Sequence, residues 1–140
     1  MKGGAMVFSG IRTSAKNKLL VTELTRKMGL GTENVVARIA YTLSLSKRRT
    51  FSIRDIKDSR GKEYSAHVLF GSNIDFYIGL LCQNYGIYKT DKDIPKLIKI
   101  HIDEGLEELY DEFCKLKNIS GFDFTLELIE KGLNNFQTTN

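Results

Sequence analysis

The sequence predicts a mainly α protein: a short N-terminal strand followed by two helices, then a small β-hairpin, then a long C-terminal helix. Three observations predict it. Apolar residues recur at helical spacing in four separate windows, as in helices that bury one face. A single proline in 140 residues leaves those windows almost unbroken. Gly29 and Gly86 stand where two of the windows end, each followed by an apolar residue, Leu30 and Ile87. That is the pattern of a left-handed helix stop with its apolar contact.

Residues 1–7 read as a flexible start. Val7 to Thr13 alternates as a short strand, with Val7, Ser9, Ile11 and Thr13 on one face and Phe8, Gly10 and Arg12 on the other; Gly10 weakens it. Ser14 is placed to cap a helix over Ser14–Met28, whose stripe is Leu20, Val21, Leu24 and Met28. After Gly29, Thr32 is placed as the next N-cap, with Glu33 in the first turn where the helix dipole favours it. Val35, Val36, Ile39, Ala40 and Leu43 form the buried face of this second helix. So short a connection makes the pair a helix-turn-helix or αα-hairpin unit.

Phe51–Ile56 and Tyr64–Phe70 flank Asp58-Ser59-Arg60-Gly61, a turn composition, and Tyr64, Ala66, Val68 and Phe70 alternate; a hairpin is expected there. A third helix spans Ile74–Tyr85, with Ser72 and Asp75 at capping-box spacing. The longest helix runs Ile94–Leu116, capped by Asp93, with Pro95 in the first turn. Gly105 interrupts it at a cost of ~1 kcal/mol relative to alanine, as a close backbone approach would require. A last short helix is expected over Asp123–Leu133. An all-helical orthogonal bundle is the alternative architecture.

Hydrophobic residues make up 41% and charged residues 27%, which excludes a disordered tail, a collagen-like fibre and a membrane bundle. No apolar run can span a bilayer, and the N-terminus shows no signal-peptide core. Two cysteines, Cys82 and Cys114, make no disulfide framework; a cytoplasmic protein with reduced thiols is expected.

The net charge of +4 hides an asymmetry. Residues 1–66 carry 14 Lys/Arg against 5 Asp/Glu, and residues 67–140 carry 7 against 12. A basic face for a polyanion and a separate acidic region are expected, although a solvated surface that merely segregates gives the same pattern.

Catalytic chemistry is hard to find. His67 and His101 lie in no metal-binding pattern, and Cys82 and Cys114 lack CxxC spacing. No nucleophile elbow or phosphate loop appears. Gly29-Leu30-Gly31 is a helix end followed by a helix start. No metal and no cofactor are expected. The basic cluster is the stronger signal. Lys16, Lys18, Arg26, Lys27, Arg38, Lys47, Arg48 and Arg49 form a pool expected to bind nucleic acid, with Arg54 nearby, although basic clusters also bind RNA, membranes or acidic proteins. Their side chains suit phosphates as point charges or bidentate forks. Thr32 and Asn34, at a helix N-terminus, could add backbone N–H groups. Two structural roles compete: Arg38 in an ion pair near Glu33, and Lys47-Arg48-Arg49 serving a helix C-terminus.

Ile11-Arg12-Thr13-Ser14, Leu24 through Leu30, Glu33 through Ala40, and His101-Ile102-Asp103-Glu104-Gly105-Leu106 together resemble the DndE family of DNA sulfur-modification proteins. The likeness covers about residues 8 to 116. It divides the chain into the start over 1–7, one DndE-like domain over 8–118 and a C-terminal extension over 119–140. The strand–helix–helix start also resembles a ribbon-helix-helix unit. The resemblance implies a non-enzymatic, DNA-binding subunit of the phosphorothioation machinery, which replaces a non-bridging phosphate oxygen of DNA with sulfur. It implies contact with the other modification subunits, among them a cysteine desulfurase and ATP-using proteins, and a homo-oligomer, expected to be a tetramer. Two other readings stand beside it: a ribbon-helix-helix transcription regulator reading bases through Phe8–Thr13, and a nuclease or sulfur-transfer enzyme using Cys82 or Cys114.

Overall fold

A computed structural model describes residues 8–115 and 128–134. Strand β1 (Gly10–Arg12) leads into α1 (Ala15–Met28) and α2 (Glu33–Ser46). A 3-10 turn (Ile53–Asp55), strand β2 (Glu63–Ser65), the short helix α3 (Ala66–Phe70) and a second 3-10 turn (Gly71–Asn73) precede α4 (Ile74–Tyr85) and α5 (Ile94–Lys115). The four long helices fall where the apolar spacing places them, and the fold is mainly helical as expected.

The helix ends follow from local chemistry. The Ser14 hydroxyl accepts the Asn17 N–H, and Gly29 adopts the left-handed conformation (φ 68°) that stops α1. Gly86 (φ 65°) ends α4 in the same way, its N–H donating to the Cys82 carbonyl. Thr32 stands at the N-cap of α2 as expected, but makes no side-chain bond to it. The Ser72–Asp75 capping box is also absent, because a 3-10 turn carries the chain straight into α4.

The two-stranded sheet is present, but its strands are not those of the expected hairpin. β1 pairs antiparallel with β2, Gly10 opposite Ser65, Ile11 opposite Tyr64 and Arg12 opposite Glu63. Phe51–Ile56 forms no strand; the Ser52 hydroxyl accepts the Arg54 N–H and winds a 3-10 turn instead. Beyond Tyr64 the period changes from two to helical. Ser65 caps α3 by accepting the Val68 N–H at 3.1 Å, so Leu69 is buried and Val68 is 53% exposed. The same serine ends one element and starts the next, which the apparent alternation conceals. In β1 the alternation also fails at its start: Phe8 is buried and Ser9 exposed.

α5 packs most extensively against α2 and also touches α1, β1 and α4. Its Ile94, Leu97, Ile98, Ile102, Leu106 and Leu109 are buried with Val36, Ala37, Ala40 and Tyr41 of α2 and Val21, Leu24 and Met28 of α1. The apolar length of α5 is therefore core within a single chain. Leu20 is only half-buried, whereas Asn17 is fully buried, so the α1 stripe is turned from the expected one. Residues 128–134 are helical, agreeing with the far end of the last expected helix; residues 123–127 and the 1–7 start lie outside the described residues. Leu128, Ile129 and Leu133 border an apolar groove of about 240 Å³ with Ile39, Leu43 and Tyr77.

Candidate nucleic-acid interface

The basic and acidic halves of the sequence do not form separate regions. They meet along α5. Lys16 Nζ lies 3.2 Å from Glu107. Lys57 bridges Glu104, at 2.8 Å, and Glu107. Lys47 approaches Glu108 at 3.3 Å, and Arg49 grips the same carboxylate with both terminal nitrogens. Burial alone would raise the Glu107 and Glu108 carboxyls, but Lys57 and Lys16 hold the first, and Arg49 and Lys47 the second, below the ordinary glutamate value. Glu104, Glu107 and Glu108 of the acidic half are thus counter-ions for part of the basic half.

This sorts the proposed DNA-binding pool. Lys16, Lys47 and Arg49 are engaged by α5. Lys27 pairs with Glu23 at 3.2 Å, one turn earlier, and lies over the Phe113 ring. Arg38 is structural in another way than expected. Its Nε donates to the Leu69 carbonyl at 2.7 Å and its Nη2 to that of Val68 at 3.4 Å, while Asn34 Nδ2 donates to Val68 at 3.0 Å. Together they satisfy the C-terminal carbonyls of α3. Glu33 pairs with Lys62 and accepts the Thr22 hydroxyl rather than meeting Arg38. Arg48 is exposed just after α2, in the left-handed conformation (φ 58°) that glycine favours. Lys18, Arg26 and Arg54 are exposed and make no salt bridge among the described residues. Lys18, Thr22 and Arg26 run down one stripe of α1, four residues apart.

Lys89, Lys92 and Lys96 are likewise exposed and without a salt bridge. Summing charge by halves obscures them, because they sit in the acidic half. Their spacing around the turn-like Lys89-Thr90-Asp91-Lys92 was the available signal.

His101 is fully buried between α2 and α4. Its Nδ1 shares a 2.7 Å hydrogen bond with the Ser44 hydroxyl and its Nε2 a 2.7 Å bond with the Tyr85 hydroxyl. Phe51 stands edge-on to the ring at 4.9 Å. Burial, aided by the nearby Arg49 guanidinium, pushes its pKa down to about 4. A neutral imidazole with both nitrogens hydrogen-bonded is a packing element. His67 lies exposed on α3 rather than in a strand. Cys82 is half-buried and Cys114 exposed; burial pushes the Cys82 thiol up, away from the thiolate a nucleophile needs. No group of three or more His, Cys, Asp or Glu among the described residues could hold a metal. No helix among them is long and apolar enough to cross a membrane.

Fold and charge define a class: a small helical domain with a strand–helix–helix start, cross-tied by ion pairs onto one central helix and carrying further exposed cations on its exterior. The chain belongs to the DndE family, whose model, described as DNA sulphur modification protein DndE, matches residues 10–117. Among solved structures it is similar to DndE from Escherichia coli B7A, described as involved in DNA phosphorothioation modification. The two share 19% identity and a TM-score of 0.60, over 74% of this chain and 99% of that one. A comparison with curated proteins gives no match.

Proposed function

We propose that this chain is a non-catalytic subunit of a DNA phosphorothioation machinery, binding the DNA backbone and partner subunits. Membership of the DndE family is the observation that carries the proposal. The exterior cations without salt bridges support backbone contact: Lys18, Arg26 and Arg54, with Arg48 exposed at the end of α2. The elevated Cys82 thiol and the committed His101 give no support to sulfur transfer or hydrolysis on this chain.

The same likeness is the ground for expecting a homo-oligomer, a tetramer. The apolar face of α5 and Gly105 are occupied within the chain and give no separate ground for it. Light scattering of the full chain over a wide concentration range should show the assembly; a monomer throughout would reject it.

The regulator reading is weaker. One edge of β1 is taken by β2, and Arg12 on that strand pairs with Glu63 at 2.7 Å. Phosphate contacts position without specifying sequence. The test is binding of the full chain to several unrelated duplexes across a salt series. Similar affinities should appear, with log K falling by roughly 0.9 per neutralised phosphate per unit of log salt. No binding at low salt, or one strongly preferred palindrome, would overturn the reading.

A further inference from the structure

We propose that the turn between α4 and α5 is a second nucleic-acid contact, with Tyr88 as a stacking platform for an unstacked base and Lys89, Lys92 and Lys96 on the flanking phosphates. The inference rests on the DNA-binding reading above and specifies the state of DNA bound.

Tyr88 is 85% exposed, the most exposed large apolar side chain among the described residues. Packing gives no reason for an aromatic ring there. Two consecutive turns build the segment. The Asp91 N–H donates to the Tyr88 carbonyl at 3.0 Å, and the Ile94 N–H to the Asp91 carbonyl at 3.4 Å. Lys89 and Lys92 therefore occupy turn corners, and Lys96 follows in the first turns of α5, all three exposed. Two acids share the segment. The Asp91 carboxylate accepts the Asp93 N–H at 2.8 Å, and the Asp93 carbonyl accepts the Leu97 N–H at 3.0 Å. Neither forms a salt bridge with the lysines.

A ring in the open beside several cations suits a strand whose bases present their faces, since stacking is indifferent to sequence and phosphates supply the charge. An intact duplex hides those faces. The ligand is therefore DNA with an unpaired stretch.

The test uses the full chain, a labelled oligo-dT strand and a blunt duplex of equal length. Tyr88→Ala should weaken oligo-dT binding roughly five-fold or more and change duplex binding less than two-fold. Tyr88→Phe, which keeps the ring, should bind as the wild type. Lys89→Glu with Lys92→Glu should lower the salt dependence on oligo-dT. Wild-type affinity for oligo-dT in both Tyr88→Ala and the lysine pair would overturn this inference alone. Failure of the unaltered chain to bind either DNA would overturn the DNA-binding reading as well.

Discussion

Gly105 of α5 lies against the backbone of Ala40 of α2, so close that a Cβ on Gly105 would stand 2.0 Å from the Ala40 carbonyl oxygen. The contact sets the helix spacing at the centre of the fold. One turn away along each helix, Ser44 meets His101. A mid-helix glycine forgoes ~1 kcal/mol of helix propensity, and here the space explains why.

Gly105→Ala should therefore destabilise the protein despite the better helix former, at the upper end of the roughly 1–3 kcal/mol typical of overpacking. Gly79, within α4, has nothing within 4 Å of its would-be Cβ. Gly79→Ala should stabilise by roughly 0.5–1 kcal/mol. Chemical denaturation of both variants checks the opposite signs.

Asp103 is 1% exposed and accepts hydrogen bonds from Lys99 Nζ at 2.9 Å, Asn17 Nδ2 at 2.8 Å and the Ser14 N–H at 3.1 Å. It ties the start of α1 to α5. Asp103→Ala leaves the 4% exposed Lys99 ammonium without its counter-ion and should cost roughly 3–5 kcal/mol. Lys99→Met with Asp103→Leu should recover part of that loss, which a double-mutant cycle measures.

His101 gives a signed pH dependence. Its folded pKa of about 4 lies below the ordinary histidine value of about 6.5, so the unfolded chain binds the proton first. Its stability contribution is complete above about pH 6.5 and is lost as pH falls toward 4. The depressed carboxyls of Glu33, Glu107 and Glu108 lose theirs only below about 4.5. Melting temperature should therefore decline between pH 6.5 and 4.5 in the wild type and flatten there in His101→Gln. An equal slope in both would assign the dependence elsewhere.

The engaged and unengaged cations should separate in binding. Lys18→Glu with Arg26→Glu should weaken duplex binding strongly and shorten the salt slope by up to about two phosphates' worth, with little loss of stability. Arg38→Ala should instead act on stability, because the Leu69 carbonyl loses its partner and the Val68 carbonyl keeps only Asn34. Parallel anisotropy and denaturation measurements distinguish the two.

Helix positions were legible in the sequence because they depend on local spacing and on the glycines at 29 and 86. The strand pairing was not. Residues 51–56 and 64–70 look like neighbours in a hairpin, but the partner of β2 lies some fifty residues earlier, and Ser65 serves as a cap. The pairing of charges is hidden from the sequence for a related reason. Summing by halves counts Lys16, Lys57 and Arg49 as available, whereas Glu104, Glu107 and Glu108 reach them only through the three-dimensional packing of α5. The burial of Asn17 and Lys99 depends on their common partner Asp103, which is distant from Asn17 in sequence, so local spacing does not show it.

The most direct test of the central claim is the phosphorothioate content of DNA, measured by mass spectrometry of nuclease digests from cells carrying the modification system. Deleting this chain should abolish the sulfur linkages. Restoring it as the Cys82→Ser, Cys114→Ser double variant should return them to the wild-type level. Unchanged sulfur content after deletion would contradict a role in the machinery. Failure of the folded, DNA-binding double variant to restore it would contradict a non-catalytic one.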